Sequence, residues 1–99
     1  MLNINKTQDG TEMTLVLEGR LDTTTAPELE KEVKEGLSGV EKLVFDLKEL
    51  EYISSAGLRV LLSAQKTMNK QGNMVVKNSS EDLMEIFEVT GFVDILNLE

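Results

Sequence analysis

The 99-residue chain is 40% hydrophobic and 28% charged, the balance of an ordinary globular domain rather than of a disordered segment. A chain of this length can bury one hydrophobic core, so we expect a single domain over residues 1–99. It has no cysteine and no histidine, which excludes disulfides, thiolate chemistry and the side chain most often used as a general base or metal ligand.

Two further classes of partner are disfavoured. The net charge of −8 argues against nucleic-acid binding, which depends on neutralising phosphates. No stretch approaches the ~20 consecutive apolar residues of a membrane span, and the N-terminus lacks a basic-then-apolar signal. We therefore expect a cytoplasmic protein that does not insert into membranes.

Acidic and basic residues are unevenly distributed along the chain. Between Tyr52 and Ser80 there is no Asp or Glu. The basic residues of this stretch are Arg59, Lys66, Lys70 and Lys77. They give this stretch a charge of +4. Since the whole chain carries −8, the rest of the chain carries −12. Either the faces of different helices simply differ in charge, or the surface near this stretch is locally electropositive and suits an acidic partner or a phosphate.

The first two elements form a predicted hairpin. Leu2–Gln8 and Met13–Glu18 alternate apolar and polar residues, the pattern of half-buried strands. Asp9-Gly10 between them is a strong signal for a two-residue hairpin turn. We expect the second strand to end at Gly19-Arg20-Leu21-Asp22.

A helix is predicted after the three threonines at 23–25. Thr25 and Glu28 have the spacing of a capping box, and Pro27 is acceptable in a first helical turn. The buried stripe is Leu29, Val33 and Leu37, and the helix ends at Gly36 or Gly39. The remaining glutamates are interpreted as a solvated face rather than as paired acids or metal ligands.

The centre of the chain contains a strand, a loop and a second helix. Leu43–Leu47 is the predicted strand, and Lys48–Ile53 is the predicted loop. Apolar residues then recur at helical spacing at Leu58, Leu61, Leu62, Gln65 and Met68. The second helix is therefore expected over Gly57–Gln71, with Gly72 as its C-terminal stop.

The last third of the sequence predicts one more strand and one more helix. The strand is Asn73–Lys77, and the helix is Asp82–Val89, capped by Ser79 or Ser80. Its buried face is Leu83, Ile86 and Phe87, and Gly91 ends it. The pattern of Phe92–Leu98, a final apolar segment, does not decide its type.

The element order β-β-α-β-α-β-α predicts an α/β fold. We expect a small mixed sheet with an N-terminal antiparallel hairpin, parallel pairing across the strand–helix–strand units, and helices packed against the sheet. Function in such sheets gathers at the carboxyl ends of the strands. Two predicted loops lie there, Gly19–Thr24 and Lys48–Gly57.

Small residues mark the second of these loops as the candidate site. At Ser54-Ser55-Ala56-Gly57 another molecule could approach the backbone closely. Ser54 or Ser55 could be only an N-cap, whose hydroxyl accepts a bond from a free backbone N–H. Alternatively Ser55 accepts a phosphate, which the free N–H groups and the positive dipole end of a helix N-terminus would tolerate.

Catalysis is not predicted at this loop. The chain has no histidine to activate a serine and no G-x-S-x-G elbow, and its glycines form neither a phosphate loop nor a dinucleotide fingerprint. Carboxylate-only chemistry would require Asp22 to converge with Asp46 or Glu51. We therefore expect no catalytic residues, no cofactor and no metal, and the chain is not expected to be an enzyme.

Three segments carry a resemblance to a known family. They are G-R-L-D at 19–22, V-F-D-L at 44–47 and Y-I-S-S-A-G-L-R-V-L-L at 52–62. With these motifs in this order, the chain resembles a stand-alone STAS domain of the bacterial anti-sigma-factor antagonist family. The resemblance covers nearly the whole length.

The resemblance implies a mechanism of partner exchange. Such antagonists bind an anti-sigma factor that is also a serine kinase with a GHKL-type ATPase fold, and this binding frees the sigma factor. Phosphorylation of one serine ends the binding, and a phosphatase of the PP2C type restores it. The expected partners are therefore the kinase and the phosphatase.

The resemblance also assigns residues. Family antagonists commonly read D-S-[STA]-G-L at this loop, which places the phosphoacceptor on Ser55, with Ser54 as the second choice. Ser54 stands where the family has an aspartate. The implied partner-binding residues are Asp22, Thr23, Ser54, Ala56, Gly57, Leu58 and Arg59.

Two alternatives belong to other classes. Since STAS domains also occur in transporter-associated and stress-signalling assemblies, the chain could be a scaffold subunit that does not switch. A small nucleotide-handling enzyme is the least supported reading.

Overall fold

The computed structural model describes all of residues 1–99. Its elements are β1 (Leu2–Asp9), β2 (Glu12–Leu21), α1 (Ala26–Gly36), β3 (Lys42–Ile53), α2 (Ser55–Gln71), β4 (Asn73–Lys77), α3 (Glu81–Thr90) and a 3-10 turn, Phe92–Asp94. The predicted order and the predicted fold class are both confirmed: a mixed sheet with an antiparallel hairpin and helices packed against it.

The four strands lie in the order β1-β2-β3-β4. The β1–β2 pair is antiparallel, whereas β2–β3 and β3–β4 are parallel. Leu98 adds a parallel bridge to Val76, so the C-terminal segment begins a further strand position beside β4. Each connection that contains a helix leads to the next strand position in the same direction across the sheet. Because such connections are right-handed, the three helices lie on one face of the sheet.

One hydrophobic core lies between that face and the helices. It is a cluster of 25 buried residues. The sheet contributes alternate positions, such as Leu15 and Phe45, which are paired partners in β2 and β3. The helices contribute fully buried residues that include Leu29, Leu61 and Phe87. The alternation of buried and less buried residues is clearest in β2.

The hairpin turn differs from the prediction by one residue. Asp9 pairs with Glu12, so the two-residue connection is Gly10-Thr11 rather than Asp9-Gly10. Gly10 has a φ of 62°, and Thr11 keeps a negative φ. A turn of this kind requires glycine only at its first central position.

The strand β3 is longer than predicted, and the expected loop Lys48–Ile53 is wrong. In its pairing with β2, β3 has one extra residue at each of two places, the first after Asp46 and the second after Leu50. Each extra residue is a bulge, which bends the strand without ending it. Leu47, Leu50 and Ile53 consequently face the core at a spacing of three, which is not the period of a regular strand.

Asp46 holds the first bulge and the end of β4 together. Its carboxylate accepts hydrogen bonds from the Lys48 N–H at 3.1 Å and from the Asn78 side-chain amide at 3.0 Å. Burial by itself would raise the pKa of this carboxyl group. The two hydrogen bonds, with the charges of Lys48 and Lys77, outweigh burial, so the pKa of Asp46 lies below its usual value.

We expect Asp46→Ala to lower the free energy of unfolding at pH 7 by about 1–3 kcal/mol, because the two donors lose a buried charged acceptor. The folded-state pKa lies below the unfolded value of about 3.9. The stabilisation is therefore complete above that value and is lost as the pH falls through the folded pKa. Urea unfolding should show a difference between wild type and Asp46→Ala that shrinks in strong acid.

The matched control is Asp94→Ala, because the Asp94 side chain is exposed. Its unfolding free energy at pH 7 should stay within about 0.5 kcal/mol of wild type. An Asp46→Ala variant as stable as this control would show that the carboxylate does not hold the bulge.

Candidate functional site at the start of α2

The candidate site lies where β2 and β3 end side by side. Leu21 and Ile53 are the last paired residues of these strands. The Ser54 N–H donates to the Leu21 carbonyl at 2.9 Å, which ties the start of α2 to the end of β2. Asp22 and Ser54, the residues that follow the two strands, are thereby brought to the same edge of the sheet. The first predicted loop is shorter than expected, because β2 continues through Leu21.

The two serines have different environments. Ser54 is the N-cap of α2, and its hydroxyl accepts from the Gly57 N–H at 3.4 Å. The helix therefore begins at Ser55, two residues before the predicted start at Gly57. Ser55 is exposed, and none of the side-chain hydrogen bonds involves it. The capping interpretation is thus correct for Ser54. Modification of the Ser55 hydroxyl would break no side-chain hydrogen bond of the fold.

The backbone around Ser55 suits a negative group. The N–H groups of Ser55 and Ala56 have no carbonyl partner, as is usual at a helix N-terminus. The first turn of α2 contains no acidic residue. The positive end of the helix dipole is therefore not neutralised by the chain's own carboxylates in that turn.

The loop after β2 is held by Asp22. Its carboxylate accepts from the Thr24 hydroxyl at 2.8 Å and from the N–H groups of Thr24 and Thr25 at 3.0 and 3.1 Å. The bond from the Thr24 hydroxyl is the largest of the contributions that keep the pKa of Asp22 below its usual value, against an opposing effect of partial burial. Asp22 is thus a charged, ordered group at the site, and Thr23 is exposed beside it.

The predicted capping box at Thr25 is wrong. Thr25 is the N-cap of α1, but its hydroxyl makes no cap bond to the helix. It donates instead to the Arg20 carbonyl at 2.8 Å and accepts from the Asp22 N–H at 2.8 Å. The side chain is buried and fastens the loop back onto β2.

Two predicted partner-binding residues face inward. A Cβ on Gly57 would lie 2.7 Å from the Leu21 Cγ and 2.9 Å from the Ile53 Cγ1. Gly57 therefore allows α2 to approach the sheet, and its contact with a partner stays a prediction. Leu58 is only 6% exposed and packs in the core. Ala56 is half-buried, whereas Arg59 is exposed.

Arg20 and Tyr52 were not singled out by sequence reasoning, yet they lie beside the site. The Arg20 guanidinium stacks over the Tyr52 ring at 4.4 Å from its centroid, and the Arg20 Nε lies 3.9 Å from a carboxylate oxygen of Asp22. Both belong to motif segments, G-R-L-D and Y-I-S-S. Their cross-strand pairing depends on the second bulge of β3, which the sequence pattern does not reveal.

The carboxylates form no shared centre. Asp22 and Asp46 have separate sets of hydrogen-bond partners, and no group of three acidic side chains could hold a metal ion. On α1 the acids are mostly exposed, and Glu30 pairs with Lys34 at 2.9 Å. None of the helices combines the length and the apolar composition needed to cross a bilayer.

Comparison with known proteins gives concordant results. A family model described as the STAS domain matches residues 3–99. The anti-sigma-B factor antagonist of Bacillus subtilis (strain 168) is 32% identical over 99 residues, which cover 98% of this chain and 90% of that protein. The matched family is non-enzymatic, which confirms that the chain is not an enzyme.

Solved structures share the fold. An anti-sigma factor antagonist from Mycobacterium paratuberculosis superposes with a TM-score of 0.89 at 21% identity, covering 99% of this chain and 85% of that chain. The phosphorylated form of the Bacillus cell fate determinant SpoIIAA superposes with a TM-score of 0.66 at 14% identity, covering 100% of this chain and 91% of that chain. Together with the family match, these findings show that the chain belongs to the STAS-domain family of anti-sigma factor antagonists.

Proposed function

We propose that the chain binds an anti-sigma factor that is also a GHKL-type serine kinase, and that phosphorylation of Ser55 ends this binding. The observation that carries the proposal is the contrast between the two serines. Ser54 is engaged as the helix cap, whereas the exposed Ser55 hydroxyl makes no hydrogen bond. A kinase could therefore modify Ser55 without breaking the cap that starts α2.

The surroundings of Ser55 explain how the fold would survive the modification. The unpaired N–H groups of Ser55 and Ala56 lie in the same first turn, and the helix dipole favours negative charge there. A phosphoserine adds nearly two negative charges and three acceptor oxygens. These charges are compatible with the N-terminus of a helix, so we expect the phosphorylated chain to keep its structure.

The same charges would oppose a partner docked on this surface. The proposed contact surface consists of the exposed or partly exposed residues Asp22, Thr23, Ser54, Ser55, Ala56 and Arg59. A phosphate on Ser55 would have to be desolvated within this surface, which already contains the negative charge of Asp22. Structural likeness to the phosphorylated SpoIIAA supports a fold that accepts such a group.

The remaining parts of the cycle follow from the same proposal. A PP2C-type phosphatase would remove the phosphate from Ser55, which is exposed to solvent. Since sigma factors act on RNA polymerase in the cytoplasm, we place the protein there. Its effect on transcription would be indirect, through release of the sigma factor from the kinase.

The test is complex formation with the GHKL-type kinases encoded in the same genome. We expect the unphosphorylated chain to form a stable complex with one of them, measured by calorimetry, and to displace a sigma factor from it. A complex with none of these kinases would contradict the proposal. A complex that persists unchanged after stoichiometric phosphorylation would instead identify a scaffold that does not switch.

A further inference from the structure

The exposed face of α2 carries an unusual run of charge. Arg59, Lys66 and Lys70 lie on the same side of the helix as Ser55, because their spacing matches turns of 3.6 residues. All three are exposed. We call these three residues the basic stripe. Lys77, the fourth cation of the acid-free segment, lies on β4 near Asp46 and is not part of it.

The charges of the basic stripe are not neutralised within the chain. The three ion pairs of the structure are Lys6–Glu32, Arg20–Asp22 and Lys34–Glu30. No carboxylate therefore comes within 4.0 Å of Arg59, Lys66 or Lys70. α2 itself contains no acidic residue. On α1, by contrast, Lys34 pairs with Glu30 at 2.9 Å, and Glu32 pairs with Lys6 of β1 at 4.0 Å.

We propose that the basic stripe binds an acidic segment of the partner protein. This inference rests on the proposed function, because it concerns the same partner and extends its contact surface along α2. From Arg59 to Lys70 the stripe is about 16 Å long, at ~1.5 Å per residue. An extended acidic segment of about five residues, or three turns of an acidic helix, spans that length.

Charge distribution favours a protein partner over nucleic acid or a membrane. The chain as a whole carries −8, so a polyanion that covers much of its surface meets net repulsion. The stripe is attractive only at short range, since physiological salt screens charges beyond about 8 Å. A short acidic segment that contacts α2 alone is attracted by the three cations and does not approach the acidic surface of the rest of the chain.

The stripe also connects to the proposed switch. Ser55 and Arg59 are four residues apart on one helix face, the spacing at which side chains of opposite charge pair. A phosphate on Ser55 would pair with Arg59 and compete with the acidic segment for the nearest cation. Lys66 and Lys70 lie about two and three turns beyond Arg59 and would stay available.

The first test uses the kinase that binds the chain. We expect R59E/K66E/K70E to lower affinity for it by at least about tenfold and to remove most of the salt dependence of binding. The matched control is K31E/K34E/K42E, which makes the same change in net charge on exposed residues outside α2. This control should bind within about threefold of wild type.

The outcomes separate the two proposals. If Ser55→Asp abolishes binding but R59E/K66E/K70E binds like the control, the stripe proposal is wrong and the proposed function stands. If wild type binds no kinase, the proposed function fails. A second measurement then tests whether the basic stripe binds an acidic segment.

That measurement is an NMR titration of the ¹⁵N-labelled chain at low salt with three probes: a glutamate oligopeptide, a short DNA duplex and phosphatidylglycerol vesicles. We expect the oligopeptide to shift the amides of Arg59, Lys66 and Lys70 in wild type and not in the R59E/K66E/K70E variant. Equal or larger effects from DNA or vesicles, or no shift with the oligopeptide, would overturn the proposal.

Discussion

Replacing Ser55 with aspartate should reduce affinity for the anti-sigma kinase by at least about 100-fold while leaving the fold unchanged. The carboxylate places a permanent charge at an exposed position in the first turn of α2, where the helix dipole stabilises it. In the complex the same charge would be desolvated within a surface that already contains the Asp22 carboxylate, and like charges brought together in an interface cost several kcal/mol. Calorimetry measures the affinity, and circular dichroism with thermal unfolding measures the fold.

Two control variants distinguish this effect from damage to the helix. Ser55→Ala should bind like wild type and should resist release by kinase and ATP. Ser54→Ala removes the N-cap and should cost about 1 kcal/mol of stability, yet it should still bind and still be released. Equal affinities for Ser55→Asp and Ser55→Ala would contradict a switch at this position.

Gly72→Ala should destabilise the fold by about 3–5 kcal/mol, the upper end of the range for single substitutions. A Cβ at this position would lie within bonding range of the Glu41 carbonyl oxygen. That carbonyl is fixed, because it accepts from the Asn73 N–H at 2.9 Å at the start of β4. Since both groups are backbone, neither can move aside without separating α2 from the sheet. Urea unfolding monitored by circular dichroism measures the loss.

Gly39→Ala is the comparison. Gly39 has a φ of 80°, and nothing lies within 4 Å of the Cβ that would be added. The substitution only forces an alanine into the left-handed backbone conformation, which lowers the free energy of unfolding by about 1–2 kcal/mol. A Gly72→Ala variant no less stable than Gly39→Ala would show that the close approach of α2 to Glu41 is not rigid.

Elements with a regular period and clear end signals could be predicted from the sequence. β4 has the predicted bounds, Asn73–Lys77. Ser80 caps α3 through a bond from the Leu83 N–H, and Gly91 ends it with a φ of 80°. Gly72 ends α2 as predicted, but its φ of 172° is extended, so the reason for glycine is the contact with Glu41.

The rest depended on contacts between distant segments. Because of the two bulges of β3, Leu47, Leu50 and Ile53 have a spacing that differs from that of a regular strand. Only their pairing with β2 shows that they belong to one strand. The inward position of Gly57 depends on Leu21, which is thirty-six residues away in sequence. The Arg20–Tyr52 stack has the same origin. Composition marked the candidate loop, whereas the separate roles of Ser54 and Ser55 required the helix start to be known.

The most direct test of the proposed switch is tandem mass spectrometry of the chain after incubation with ATP and the kinase that binds it, followed by a binding measurement on the modified protein. We expect one phosphate, on Ser55, and loss of measurable binding by the phosphorylated chain. A phosphate on Ser54, or a chain phosphorylated on Ser55 that still binds the kinase as tightly as before, would contradict it.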